Sequence, residues 1–227
     1  MSGLLTVPPV ISPRDRVFLA AGAAAPGAGA VLDCLLTGHP GLPRDRMGHR
    51  LNASGRSLII DAVHSVHGLR VNGRDLARDA HRRWRLPRLG LAVSVAHCAE
   101  FSAVAFGTGA EVGVDLQDER DRPGAMGWLG ALLGLPGPAC IRDFAECEAL
   151  IKASHLTKET FRGVRLPEWS PGWRPTGVAG HQVRSAAVGR DTYLALAADR
   201  TAPVRWWWRP DPGTAAARTD APTLEPA

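Results

Sequence analysis

In VGVDLQ, residues 112–117, Val112, Val114 and Leu116 alternate with Gly113, Asp115 and Gln117. A period of two belongs to a strand, and it sends Asp115 and Gln117 out of one face. FAECEALIK, residues 144–152, has the other period. Glu148 and Lys152 stand four apart on one face of a helix, while Phe144, Leu150 and Ile151 help to cover the rest. Strand and helix therefore each present a carboxylate. Carboxylate oxygens are ligands for Mg²⁺, and a lysine one turn beyond the second carboxylate offers phosphate a compact positive charge. Together the two stretches outline a pyrophosphate site.

A third stretch, LAVSVAHCAEFSAVAF at residues 91–106, precedes the aspartate strand and carries His97. In this order and spacing, over about 60 residues from Leu91 to Lys152, the three resemble the 4′-phosphopantetheinyl transferases of the Sfp type. That family's pattern is roughly (I/V)G(I/V)D(I/L)E, then WxxKExxxK, with a Ser-His strand upstream. The resemblance implies transfer of the 4′-phosphopantetheine arm from coenzyme A to a serine of an acyl or peptidyl carrier protein, with release of adenosine 3′,5′-bisphosphate. It implies Mg²⁺ on Asp115 and Glu148, with Gln117 as the third position of the metal set. Glu148 becomes a general base toward the carrier serine, Lys152 a catalytic contact to the β-phosphate, and His97 a donor to a coenzyme A phosphate. Outside the motifs, Arg56, Arg82, Arg83 and Arg85 are candidates for the 3′-phosphate or adenine end of coenzyme A. The implied fold is α/β (α+β). It has two similar pseudo-twofold-related halves, each a small, mainly antiparallel sheet packed on helices, with the site between them.

The chain departs from the pattern at four places. Gln117 stands where many members have a second metal-binding glutamate, Cys147 where the first lysine belongs, Phe144 for tryptophan, and Ala96 for the serine before His97. A neutral amide oxygen is a weaker Mg²⁺ ligand than a carboxylate, so a weaker metal site is expected. Gln117, Cys147 and Ala96 also motivate a second reading, a carrier-protein or coenzyme A binding module with weakened catalysis. Another Mg²⁺-dependent phosphotransferase would call for a phosphate-cradling GxxxxGK[ST] loop, which the sequence lacks.

Composition sets the bounds. With 227 residues and 45% hydrophobic content the chain has enough length to bury a core. No run of about 18 apolar residues occurs, and MSGLLTVPPVISPRDR lacks a basic start followed by an apolar stretch. A monomer that stays in the cytoplasm, away from membranes, is expected. Cys34, Cys98, Cys140 and Cys147 have no CxxC or His spacing of a zinc site, which predicts buried, reduced thiols. The net charge of +5 rests on arginine, since Lys152 and Lys158 are the chain's two lysines. A lysine kept where arginine is the habit points to a need for a compact ammonium at Lys152. A basic surface steers acidic carrier domains and coenzyme A alike. Nucleic-acid binding is excluded as the main reading, because the aromatics are few and gather mostly toward the C-terminus.

The pattern divides the chain into a loose lead-in (1–15), an N-terminal half on the coenzyme A side (16–110), a C-terminal half with the metal site (111–209) and a disordered tail (210–227). Within these, a strand is expected at Val17–Ala20, then a short apolar helix before Pro40. A helix follows within residues 50–68, capped by Ser54 and stopped by Gly68, and a second from Gly73 to Trp84. Strands are expected at Leu91–Val95, Ser102–Phe106 and Val112–Leu116, and helices at Gly124–Leu135 and from Asp143. A hairpin of Val183–Val188 with Tyr193–Ala198 and a strand at Val204–Trp208 complete the pattern.

Overall fold

The computed structural model describes residues 10–12, 16–21, 29–38, 44–119, 122–188, 191–209 and 224–225. Thirteen strands and three α-helices lie within these residues. The strands are β1 (Val10–Ser12), β2 (Arg16–Ala21), β3 (Val31–Gly38), β4 (Ala77–Arg78), β5 (Trp84–Leu86), β6 (Leu91–His97), β7 (Phe101–Thr108), β8 (Val112–Asp118), β9 (Arg174–Pro175), β10 (Gln182–Val188), β11 (Thr192–Ala198), β12 (Val204–Arg209) and β13 (Leu224–Glu225). The helices are α1 (Arg44–His67), α2 (Pro123–Leu133) and α3 (Ile141–Ala153). The fold is α+β.

Alternation along the strands sorts these elements into layers. One sheet runs β1-β2-β12-β3-β7-β6-β5-β4, antiparallel except where β12 lies parallel to β3. The other runs β13-β10-β11-β8, with β9 also on β10. Leu32, Cys34, Leu36, Ala103 and Ala105 of the first sheet meet Val112, Val114, Leu116, Leu194 and Leu196 of the second in one core. Leu35, Val93, Val104 and Phe106 point the opposite way, onto Ile59, Ala62 and Val63 of α1. On the far side of the second sheet, Ala195 and Ala197 pack against Ala145, Ala149 and Leu150 of α3. The order is helix, sheet, sheet, helices. Asp115 and Gln117 alternate with the core-facing Val114 and Leu116, so they face α3.

The expected strands at β2, β6, β7, β8 and β12, the β10–β11 hairpin and helices α2 and α3 are all present. Gly68 stops α1 as expected, with φ of +69° and its N–H on His64 O. Four expectations need correction. The short apolar helix before Pro40 is strand β3, whose residues 32–38 are all buried. A strand buried on both faces reads as an unbroken apolar run, which periodicity alone does not separate from a helix. Helix α1 begins at Arg44, ten residues before the proposed cap Ser54. Gly73–Trp84 is not a helix. Its short polar side chains bind nearby main chain instead: Arg74 N–H on Asn72, and His81 and Arg83 N–H on Asp79. Arg82 takes a left-handed φ of 62° in the turn between β4 and β5. Finally, Cys140 is exposed, whereas Cys34, Cys98 and Cys147 are buried free thiols as expected.

The lead-in 1–15 lies outside the described residues apart from β1, and the tail 210–227 apart from β13, which pairs with β10. The division near residue 110 separates the two sheets along the chain, except that β12 returns to the first. Among the described residues no helix is long and apolar enough to cross a membrane.

Candidate active site

The site depends on how closely α3 lies on β8. A Cβ at Gly113 would sit 2.0 Å from Ala149 O and 2.7 Å from Ala153 N, so only glycine lets the strand backbone touch the helix there. At the start of α3, Cys140 N–H donates to Asp143 over 2.9 Å. At its end, Arg83, in the turn that leads into β5, donates to Ala153 O over 2.9 Å, a cation on the negative pole of the helix. Glu146 on the buried side of α3 pairs with Arg174 and accepts from Ser185 Oγ over 2.6 Å. These contacts fix the height and rotation of α3, and through it the place of Lys152.

Lys152 lands on Asp115. Its Nζ donates to Asp115 Oδ1 over 2.7 Å, Val114 O over 3.0 Å and Val95 O over 3.3 Å. An ammonium has three N–H donors, so this lysine is fully engaged. Strand β8 is an edge strand, and both main-chain groups of Val114 are satisfied away from β11: its carbonyl by Lys152 and its N–H by Ser94 Oγ over 2.9 Å. The second oxygen of Asp115 accepts from Gln117 Nε2 over 2.6 Å, and Gln117 Oε1 accepts from Arg122 over 2.9 Å. Arg122 also donates to Asp118 O and lies over the Phe144 ring at 5.0 Å. Burial pushes the Asp115 carboxyl above its ordinary pKa. Lys152 and Gln117 counter this, while the charge of Glu148 adds to it.

Glu148 does not pair with Lys152 one turn on. It pairs with Lys158, whose Nζ lies 3.3 Å from Glu148 Oε1. Together with Cys147, Phe144 and Trp128, both line a small apolar pocket between α2 and α3. Trp128 is 53% exposed there. His97, at the end of β6, shares a hydrogen bond of 2.9 Å between its Nδ1 and Ser102 Oγ on β7.

Beside Lys152 opens a cleft of about 680 Å³, bounded by β4, β5 and β6 on one side and by the end of α3 and its following loop on the other. Arg78, Arg82, Arg83, Lys152 and Lys158 line it, with Glu159 the one acidic residue of its lining among the described residues. The four sequence-proposed arginines part company here. Arg82 faces the cleft from the turn. Arg83 faces it as well but is bound to Asp79 and Glu111. Arg85 lines a different cleft and pairs with the same two acids, and Arg56 lies over the Trp84 ring at 5.6 Å. Sequence reasoning passed over Lys158, Arg122 and Glu146. Only Lys158 carried a signal, as the other lysine in an arginine chain.

Among the described residues no group of three or more His, Cys, Asp or Glu side chains could hold a metal ion. Asp115 and Glu148 do fit a hard cation by donor type. A buried carboxylate whose ionisation is opposed by burial and by a neighbouring carboxylate gains from any positive charge placed against it. Gln117, as oriented, offers Asp115 its N–H and not its oxygen. No protein-family model matches the chain, and no curated protein matches it.

Proposed function

We propose that this protein transfers the 4′-phosphopantetheine arm of coenzyme A to a serine of an acyl or peptidyl carrier protein. The observation that carries the reading is the pairing of Asp115 on a strand with Lys152 and of Glu148 on the helix with Lys158, both lysines lining one basic cleft. In this reading the two sheets with their helices are the related halves of the transferase fold. The cleft between them takes coenzyme A, whose phosphates meet the basic lining and Arg82.

Asp115 and Glu148 would hold Mg²⁺, which when bound supplies charge neutralisation to the diphosphate. The remaining chemistry belongs to the side chains. Glu148 accepts the proton of the carrier serine as its oxygen bonds to the β-phosphorus. The phosphorus–oxygen bond to the α-phosphate breaks, and adenosine 3′,5′-bisphosphate leaves. The positive charge of Lys152, held by two carbonyls and Asp115, favours the charge that develops on the phosphoryl oxygens. The exposed face of Trp128 gives Glu148 an apolar border for a protein substrate.

A second reading, coenzyme A binding with weakened catalysis, is favoured by the orientation of Gln117. One experiment separates the two. The protein is incubated with an apo carrier domain, coenzyme A and Mg²⁺, and the carrier's intact mass is followed. Gain of the arm supports transfer. Calorimetric binding of coenzyme A without mass gain supports the binding module, and neither would end both readings.

A further inference from the structure

The chain has two lysines among 27 basic residues, and each sits on one of the two carboxylates of the site: Lys152 on Asp115 and Lys158 on Glu148. Their situations differ in the number of free donors. Lys152 spends all three N–H groups on Val95 O, Val114 O and Asp115 and is 30% exposed. Lys158 has Glu148 as its partner, at 3.3 Å, and is 62% exposed, so two donors remain for a ligand. An exposed pair of this kind contributes little to folding. Its placement is specific nonetheless. Lys158 lines both the basic cleft and the apolar pocket beside Glu148, so it stands at the junction between them. Its loop is held by Thr157 and Thr160, with Thr157 N–H on Thr160 Oγ1 over 2.8 Å. Among the arginines of the cleft, Arg83 is committed to Asp79, Glu111 and Ala153 O, and Arg78 to Arg82 O and the Trp84 ring, whereas Arg82 reaches it from the turn between β4 and β5, on the wall opposite Glu148 and Lys158.

We propose that Lys158 is the residue that directly binds the diphosphate in the cleft, while Lys152 remains a fixed charge tying α3 to β8. The proposal rests on the transferase reading for the identity of the diphosphate, and on donor count and placement for the residue. A lysine that holds Glu148 in the empty site and turns to phosphate in the filled one would free the carboxylate for its base role as substrate arrives.

Binding is measured by calorimetry without carrier protein, using coenzyme A and, separately, inorganic pyrophosphate. Lys158→Ala is expected to weaken both about tenfold, the loss of one charge-assisted hydrogen bond, with an unchanged melting temperature. Lys158→Arg should recover most of the affinity. In a Glu148→Gln background the Lys158→Ala loss should persist, because the contact is to phosphate. If it vanishes there, Lys158 acts only through Glu148 and the proposal is wrong. Equal coenzyme A affinity in wild type and Lys158→Ala overturns the proposal and leaves the transferase reading standing. Pyrophosphate binding that depends on Lys158, without any coenzyme A binding, does the reverse. Failure of the wild type to bind either probe removes both.

Discussion

Lys152 Nζ and Asp115 Oδ1 stand 2.7 Å apart where α3 crosses β8, and the ammonium's remaining donors close the open edge of that strand at Val114 O and reach Val95 O on β6. This one side chain therefore joins three elements, β6, β8 and α3. It also compensates a carboxylate that is 5% exposed.

Lys152→Ala should consequently unfold more easily, unlike the loss of a surface lysine. Breaking a fully buried pair costs roughly 3–5 kcal/mol, and with Lys152 at 30% exposure about 2–3 kcal/mol is expected. The loss has a pH signature. Burial already raises the Asp115 carboxyl, and removing Lys152 removes the first of the influences that lower it. A raised carboxyl contributes stability that is full below its unfolded pKa and lost as pH rises through its folded one. The variant should approach wild type in acid and fall away toward neutral pH. Asp115→Asn with Lys152→Met, which removes both charges, should recover most of the stability at pH 7. Denaturant titrations across pH give the answer, and a pH-independent deficit would contradict it.

Gly113→Ala tests the closeness of β8 and α3. The added methyl would meet Ala149 O at 2.0 Å, so destabilisation at the upper end of overpacking, roughly 3 kcal/mol, is expected. Gly127→Ala on α2 is the control, because its Cβ would meet nothing within 4 Å. Ordinary helix propensity predicts a gain there of about 1 kcal/mol. If both variants shift stability alike, close approach is not what selects glycine at position 113.

Much of this arrangement was legible in the sequence, and the reasons differ by element. The period of two in VGVDLQ and of four in FAECEALIK report burial on one face, so β8, α3 and the facing of Asp115 followed directly. β3 did not, because burial on both faces erases the alternation. The turn at Asp79–Arg83 was lost because its stabilising contacts are side chain to main chain, and those leave no periodic trace. The pairing of Glu148 with Lys158 was hidden for another reason. The loop after α3 folds back along the helix, and spacing in sequence favoured Lys152, whose donors are drawn instead to an edge strand.

Asp79 supplies a second pH dependence of opposite sign. Partial burial pushes its carboxyl up, but hydrogen bonds from Arg85 and Arg83 hold it well below the usual carboxylate range. A depressed carboxyl contributes stability that is present above the unfolded pKa and lost as pH falls toward the folded one. Asp79→Asn should therefore melt below wild type at pH 7, by roughly 1 kcal/mol for a partly exposed network. The gap should close as pH drops below about 4, the ordinary carboxylate pKa. Differential scanning calorimetry at pH 7, 4 and 2.5 checks this, and a gap that widens in acid would assign Asp79 the wrong role.

Gln117→Glu addresses the metal set. In the present site the amide donates to Asp115 and accepts from Arg122. A glutamate there loses the donation and places a third carboxylate beside Asp115 and Glu148, while Arg122 remains to hold its other oxygen. Without a cation, the added repulsion should lower the melting temperature and raise the Asp115 carboxyl further. With Mg²⁺, the extra carboxylate should strengthen binding, so added Mg²⁺ should stabilise the variant more than wild type. On the proposed transferase reading, the half-saturating Mg²⁺ concentration for transfer should fall as well. Melting curves over a Mg²⁺ series, with Ca²⁺ alongside, separate a built oxygen site from general screening, which Na⁺ at matched ionic strength would reproduce. An identical Mg²⁺ response in the two proteins would place the ion away from Gln117, and a response equalled by Na⁺ would remove the ion from this site.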